Sequence, residues 1–238
     1  GPLVFYINAL GQALSGGSRW GVWFLEFLFF FCAGVLGYIV IKRLMGVIPA
    51  LVGTFIWTIA AGNVLQGGNF SEEYSLLFSF IALFGFWKSL EHPQKNFYVL
   101  LVGISLGLNI LLRPNNISMQ AGAAGAYLIL ALFSKEWRIF FKRVLWYAIG
   151  ALVVIVPVIL YFSIQGALTE MINVVLVFNF QYSDGINPAS ILDGLMSASR
   201  AIGVVYVMIA ILGYGFSLWA LFKNRLNNPL EKFLLILL

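Results

Sequence analysis

The 238-residue chain is 61% apolar and 16% aromatic with only 10% charged residues, a composition that belongs to membranes and excludes an ordinary soluble domain. Its formal net charge of +5 reads as a topology signal rather than a nucleic-acid surface, because Lys and Arg mark the loops kept inside. A single Cys, Cys32, and a single His, His92, which sits in a charged loop, rule out an intrachain disulfide and leave no Cys/His metal set.

A membrane span needs about 20 apolar residues. The segment Gly1 to Leu14 is shorter than that and reads as an interfacial or entering helix, ended by the turn Ser15-Gly16-Gly17-Ser18. There is no initiator Met, and the chain stops inside the apolar run Phe233 to Leu238. We therefore expect a piece of a longer polytopic protein. Trp20 to Ile41 is the first span, opened by Trp20 and Trp23 and closed by Lys42-Arg43, an aromatic belt at one end and a basic stop at the other. Val47 to Leu65 returns, with Pro49 near its start where helices accept proline.

Next comes a short polar break, Gly67-Gly68-Asn69-Phe70-Ser71-Glu72-Glu73-Tyr74. The third span runs from Tyr74 to about Trp87, and the fourth from Phe97 to Leu112, where Arg113-Pro114-Asn115-Asn116 breaks the helix, since the residue before a proline is pushed out of the helical region. Ile117 to Phe133 is the fifth span. Its small run Ala121 to Ala126 suits close helix approach. Lys135 to Arg143 is basic and aromatic and reads as a helix on the inner surface, followed by the sixth span, Val144 to Ile164. A polar outer loop, 165–200, leads to a seventh span, Ala201 to Phe222, and a truncated eighth. The expected fold is an all-α polytopic membrane bundle, a single transmembrane domain of about seven spans with interfacial helices.

With the N-terminus outside, the inner loops hold Lys42, Arg43, Lys88, Lys95, Lys135, Arg138, Lys142, Arg143, Lys223, Arg225 and Lys232, leaving only Arg19, Arg113 and Arg200 outside. That bias supports both the orientation and the span map. Three polar clusters then share the outer face: Glu72 with Glu73; Arg113 with Asn115 and Asn116; and Asn179, Gln181, Tyr182 and Asp184. Carboxylates suit a divalent cation, and an Arg fork suits a phosphate. Each cluster has a plainer alternative. Asn69 and Glu72 fit a capping box, and Glu73 in a first helical turn complements the helix dipole. Arg113 ends a helix where a cation is favoured, Asn115 or Asn116 can cap the next one, and Tyr182 suits an interfacial aromatic. Adjacent acids point about 100° apart on a helix, so Glu72 and Glu73 face different ways. Glu26 lies inside the first span, about 9 Å from Trp20, where an acid needs a polar partner.

The leading Gly1-Pro2-Leu3, the loop opening Glu72-Glu-Tyr-Ser-Leu-Leu77, and Gly103-Ile-Ser-Leu-Gly107-Leu-Asn-Ile-Leu-Leu-Arg113-Pro-Asn together resemble the glycosyltransferase C superfamily. The resemblance is specifically to bacterial relatives of the protein mannosyltransferases and of the aminoarabinose transferase of lipid A, and it covers most of residues 1 to 134. It implies an inverting membrane glycosyltransferase that takes a sugar from a polyprenyl-phosphate donor on the outer face of a bacterial cytoplasmic membrane. The acceptor would be a lipid, glycan or protein. It also implies a divalent metal near the lipid phosphate, no organic cofactor, and a catalytic outer-loop Asp that would precede Gly1. Glu72 or Glu73 matches the second outer-loop acid, where relatives often carry a single Asp, and Arg113 matches a basic position that would bind the donor phosphate. Asn115, Tyr182, Asp184 and Glu26 are the expected substrate contacts. Two rivals stand beside this reading: a transporter or flippase for a lipid-linked or anionic solute, and a non-catalytic membrane assembly subunit. A transporter would be expected to carry repeated halves and polar sites near mid-membrane. No repeat is visible, and Glu26 is almost the only ionisable residue inside a span.

Overall fold

The computed structural model describes residues 1–64, 68–177, 196 and 203–223, and among these the regular structure is helical. The helices are α1 (Pro2–Leu14), α2 (Trp20–Met45), α3 (Val47–Val64), α4 (Ser71–Glu91), α5 (Asn96–Leu112), α6 (Ser118–Ser134), α7 (Trp137–Ile164), α8 (Leu168–Ile172) and α9 (Val204–Lys223). A 3-10 turn, Pro114–Asn116, joins α5 to α6, and a π turn, Asn173–Val177, follows α8. The chain divides into two compact units, one of Gly1–Gly37 with Gly68–Gln181 and one of Tyr38–Gly67 with Tyr182–Leu238.

Local chemistry accounts for most helix ends. Pro2 opens α1, and Gly16 and Gly17, at φ 63° and 88°, end the turn beyond it. Here Ser15 Oγ donates to the carbonyls of Gly11 (2.9 Å) and Ser18 (2.6 Å). Gly46, at φ 94°, makes the reversal between α2 and α3. Lys135 adopts the left-handed conformation that ends α6. The basic stretch Lys135 to Arg143, expected to be a separate surface helix, is instead mostly the first turns of α7, which runs unbroken for 28 residues. Neither Gly nor Pro interrupts 137–149, so nothing stops the helix there.

In the first unit the core gathers Ile7 of α1, Leu25 of α2, Tyr74 and Phe78 of α4 and Leu112 of α5. Antiparallel α4 and α5 pack together, as shown by Gly85 of α4 lying against the Tyr98 carbonyl and Asn109 bonding back to Ser75. Among the described helices the seam between α5 and α7 is the most extensive. Gly103 and Gly107 of α5 lie directly on Tyr147, Ala151 and Val154 of α7, and Gly150 of α7 lies on the backbone of Leu100 and Ile104. Small residues at this spacing let parallel helices touch backbone to backbone. The sequence alone points to the Ala121–Ala126 run for this role. Ala123 and Ala126 are indeed buried, but Gly125 faces open space.

Polar side chains link these helices inside the unit. Asn109 Nδ2 donates to the carbonyls of Asn116 (2.9 Å) and Ser75 (3.5 Å) and to Ser79 Oγ (3.4 Å). Gln120 Nε2 reaches the Phe78 carbonyl (3.3 Å) and Ser105 Oγ (3.4 Å), and Tyr147 donates to the Gln120 carbonyl (3.0 Å). Asn109, Ser105 and Gln120 are fully buried. At the opposite end Ser89 meets Tyr127 at 2.7 Å, Arg143 stacks over Tyr127, and Lys88 lies 4.0 Å over the Trp87 ring.

Among the described residues two helices, α2 and α7, are long and apolar enough to cross a bilayer. Large hydrophobic side chains such as Phe24, Phe27, Phe31, Leu152, Val153 and Leu160 stand exposed on them, a surface suited to lipid. Helices α5 and α6, at 17 residues each, reach about 26 Å and come close to the ~30 Å hydrocarbon thickness.

Candidate functional site

The end of the first unit where α4 begins and α5 finishes carries the acidic and basic residues singled out in the sequence. Arg113 is the cap of α5 in extended backbone, its N–H donating to the Asn109 carbonyl at 2.8 Å. Pro114 stops the helix there, so the guanidinium leaves the end of α5 and meets the first turn of α4. It pairs with the carboxylate of Glu72. Both groups keep substantial solvent contact, 34% for Arg113 and 47% for Glu72, and Ser71 Oγ donates to the second Glu72 oxygen at 2.9 Å.

Glu73 turns the other way, as the helical geometry of adjacent residues requires. It is buried, its carboxylate accepts the Phe70 N–H at 3.1 Å, and its side chain bonds to Glu26. The residue capping α4 is Phe70, with Glu73 reaching back to it; this is the acidic half of a capping box. The expected box of Asn69 and Glu72 is therefore corrected by one residue. Asn69 sits at φ 66° instead of in the extended conformation a capping residue takes. Its side-chain oxygen accepts from the Tyr74 hydroxyl at 3.0 Å, and its N–H donates to Glu26 Oε1 at 2.8 Å. The acid inside the first span thus has its polar partner, a backbone donor 43 residues further along the chain.

Asn115 is exposed on the 3-10 turn, while the Asn116 carbonyl receives Asn109. Neither asparagine caps α6, whose capping position is Ile117 with no side-chain bond. That expectation fails because Asn109 has drawn the 115–116 turn back onto α5. Asn179, Gln181, Tyr182 and Asp184 lie outside the described residues. Sequence reasoning missed Asn109 and Gln120, whose signal was a carboxamide inside an apolar run, a rare and costly placement.

Burial first, and then the hydrogen bond with Glu26, push the Glu73 carboxyl, in the first turn of α4, up to about 7 from its usual 4.5. The folded state therefore holds a proton that the unfolded chain releases between those values. The associated stability is complete below 4.5 and is lost as the pH rises toward about 7. The thermal midpoint of the solubilised protein should fall across that interval. In Glu73→Gln, which cannot ionise and still accepts from Phe70, that part of the slope should vanish. An unchanged slope in scanning fluorimetry would show that Glu73 does not hold the proton.

A family model described as dolichyl-phosphate-mannose-protein mannosyltransferase matches residues 1–161. No curated protein and no solved structure matches the chain.

Proposed function

Since the chain belongs to the dolichyl-phosphate-mannose-protein mannosyltransferase family, we propose that it is an integral membrane glycosyltransferase acting at the Arg113 end of its bundle. It takes a sugar from a polyprenyl-phosphate donor and passes it, with inversion, to an acceptor hydroxyl on a lipid, glycan or protein. The acceptor oxygen bonds to the anomeric carbon as the bond from that carbon to the phosphate oxygen breaks. The electron pair stays on the phosphate, and the acceptor proton goes to a base expected ahead of Gly1. The charge that grows on the leaving phosphate is what a guanidinium stabilises best, through paired, charge-assisted N–H bonds. The observation that carries the reading is the Arg113–Glu72 pair: a cation in partial contact with solvent at the end of a buried helix, held ready by an internal anion. The distribution of Lys and Arg supports an outer-face site in a membrane crossed about seven times, and the resemblance to bacterial relatives implies that this is the cytoplasmic membrane of a bacterium. Asn115, Tyr182 and Asp184 complete the proposal as donor or acceptor contacts.

Among the described residues, the two acids assigned to a divalent cation are each held by other partners. Glu72 is taken by Arg113 and Ser71, Glu73 by Phe70 and Glu26, and among the described residues no three metal-ligating side chains stand together. The mechanism is therefore derived without a metal.

Donor phosphate must compete with Glu72 for the guanidinium. An exposed ion pair is worth about 0.2–1 kcal/mol, so removing the competitor should sharpen donor binding modestly. In membranes holding the full-length protein, with a labelled polyprenyl-phosphate sugar as donor, Glu72→Gln should lower the donor KM by about 1.5- to 5-fold with kcat kept. A collapse of kcat in Glu72→Gln, reversed by added divalent cation, would make Glu72 a metal ligand after all. Failure of the wild type to consume any donor in a panel of sugars would remove the transferase reading.

A further inference from the structure

Ahead of α4 the segment Gly68 to Phe70 is fastened to α2. Glu26 Oε1 accepts the Asn69 N–H at 2.8 Å. Gly68 is in the left-handed region at φ 82°, and a Cβ on it would come within 2.6 Å of the same carboxylate oxygen. So the strap touches Glu26 closely enough that a side chain at position 68 would push the carboxylate aside, on top of the strain its left-handed φ imposes. Asn69 is also left-handed, at φ 66°, a conformation asparagine tolerates better than most residues. The bonds that hold it are the one to Glu26 and the one from the Tyr74 hydroxyl to its side-chain oxygen, 3.0 Å long. Immediately beyond lie the Phe70 N–H on Glu73 and the first turn of α4, from which Glu72 reaches Arg113.

We infer that Glu26 is a positioning residue: its carboxylate latches the strap 68–70 to α2 and so fixes the direction in which the first turn of α4 presents Glu72 to Arg113. A carboxylate suits the task better than a neutral acceptor. It sits at the amino end of α4, where the unpaired N–H groups and the helix dipole both favour negative charge. Because it comes from another helix, it ties the strap to a rigid element rather than to its own loop. The latch needs no substrate. Its consequence for transfer rests on the proposed function, and the two are read by different measurements.

The test uses the full-length protein in nanodiscs, with hydrogen exchange at the strap amides and donor kinetics measured on the same preparations. In Glu26→Ala, exchange over 69–71 should quicken by about ten- to a hundredfold, the loss expected for a bond to a charged acceptor. The rest of the bundle should keep its protection. Glu26→Gln, whose amide oxygen still accepts from Asn69, should restore most of the protection. Gly68→Ala should loosen the strap in the wild-type background through both the contact with Glu26 and its left-handed φ, and somewhat less in Glu26→Ala, where only the φ strain remains. In the kinetics, Glu26→Ala should lower the donor KM with kcat kept, as Glu72→Gln does, because Glu72 is no longer held against Arg113, and Glu26→Gln should return the KM to the wild-type value. Unchanged exchange at 69–71 in Glu26→Ala overturns the latch. Faster exchange with unaltered donor kinetics in an active enzyme overturns the positioning role. If the wild type transfers nothing from any donor, the proposed function falls, while the exchange data still decide the latch.

Discussion

Arg113→Ala should lower kcat/KM for the lipid-phosphate sugar by about 100- to 1,000-fold, the cost of removing a preorganised charge from the point where negative charge develops. Arg113→Lys should recover only part of it, since a point charge replaces a planar fork of donors. The pairing with Glu72 adds a sharper expectation. In the Arg113→Ala background Glu72 has no guanidinium to occupy, so adding Glu72→Gln should leave donor KM unchanged, whereas in the wild type it lowers it. Contacting residues show this non-additivity and independent ones do not. Strict additivity would mean that Glu72 does not compete for the guanidinium. Near-normal transfer by Arg113→Ala, at matched expression, would move the phosphate site elsewhere.

The second expectation concerns the seam that carries Arg113. Gly103→Val or Gly150→Val should cost at least about 3 kcal/mol, the upper end for overpacking, and lower the thermal midpoint by roughly 10 °C. The reason is the nature of the neighbour. A Cβ on Gly103 would meet the Tyr147 carbonyl, and one on Gly150 would lie 2.8 Å from the Ile104 nitrogen. Backbone has no rotamer to change, so the helices must separate, and α5 and α7 then lose their close contact along 100–107 and 147–154. Gly125 is the control, because nothing lies within 4 Å of its would-be Cβ. Gly125→Ala should leave the midpoint unchanged or raise it slightly, by up to the roughly 1 kcal/mol that separates the two residues in a helix. Equal behaviour of Gly125→Ala and Gly103→Val on thermal melts and size-exclusion chromatography would show that the seam is not close-packed.

Features set by neighbouring residues are legible in the sequence alone. The Ser15–Ser18 turn, the break at Arg113-Pro114 and the divergent aim of Glu72 and Glu73 all follow from local geometry. The approach of the Glu72 and Arg113 clusters to one end follows from counting spans, and the pairing of the two side chains fulfils it. What stays hidden depends on residues far apart in the chain. That an acid in α2 needs a partner can be read, but not that the partner is the Asn69 N–H, since a backbone donor leaves no residue signature. The cap of α4 differs by one position from the expected one because Glu26 and Tyr74 together hold Asn69 left-handed, overriding its usual preference. Small residues do bring helices close, yet the Ala121–Ala126 run draws attention away from Gly103 and Gly107, whose partner surface on α7 is assembled only in three dimensions.

The buried carboxamides have a consequence for the angular phase of the helices. Asn109 donates to main-chain carbonyls of Ser75 and Asn116, and Gln120 to that of Phe78. Turning α5 by one residue about its axis swings a side chain through about 100° and would take the Asn109 amide away from the Ser75 carbonyl, leaving it without that partner in an apolar interior. Main-chain acceptors cannot be mutated away, so the lock survives changes in the side chains around it. The lipid-facing positions of α2 and α7 are therefore free to vary without disturbing the phase of α5. Loss of the single amide at Asn109, by contrast, removes the bonds that tie α5 to α4 and to the turn that follows Arg113.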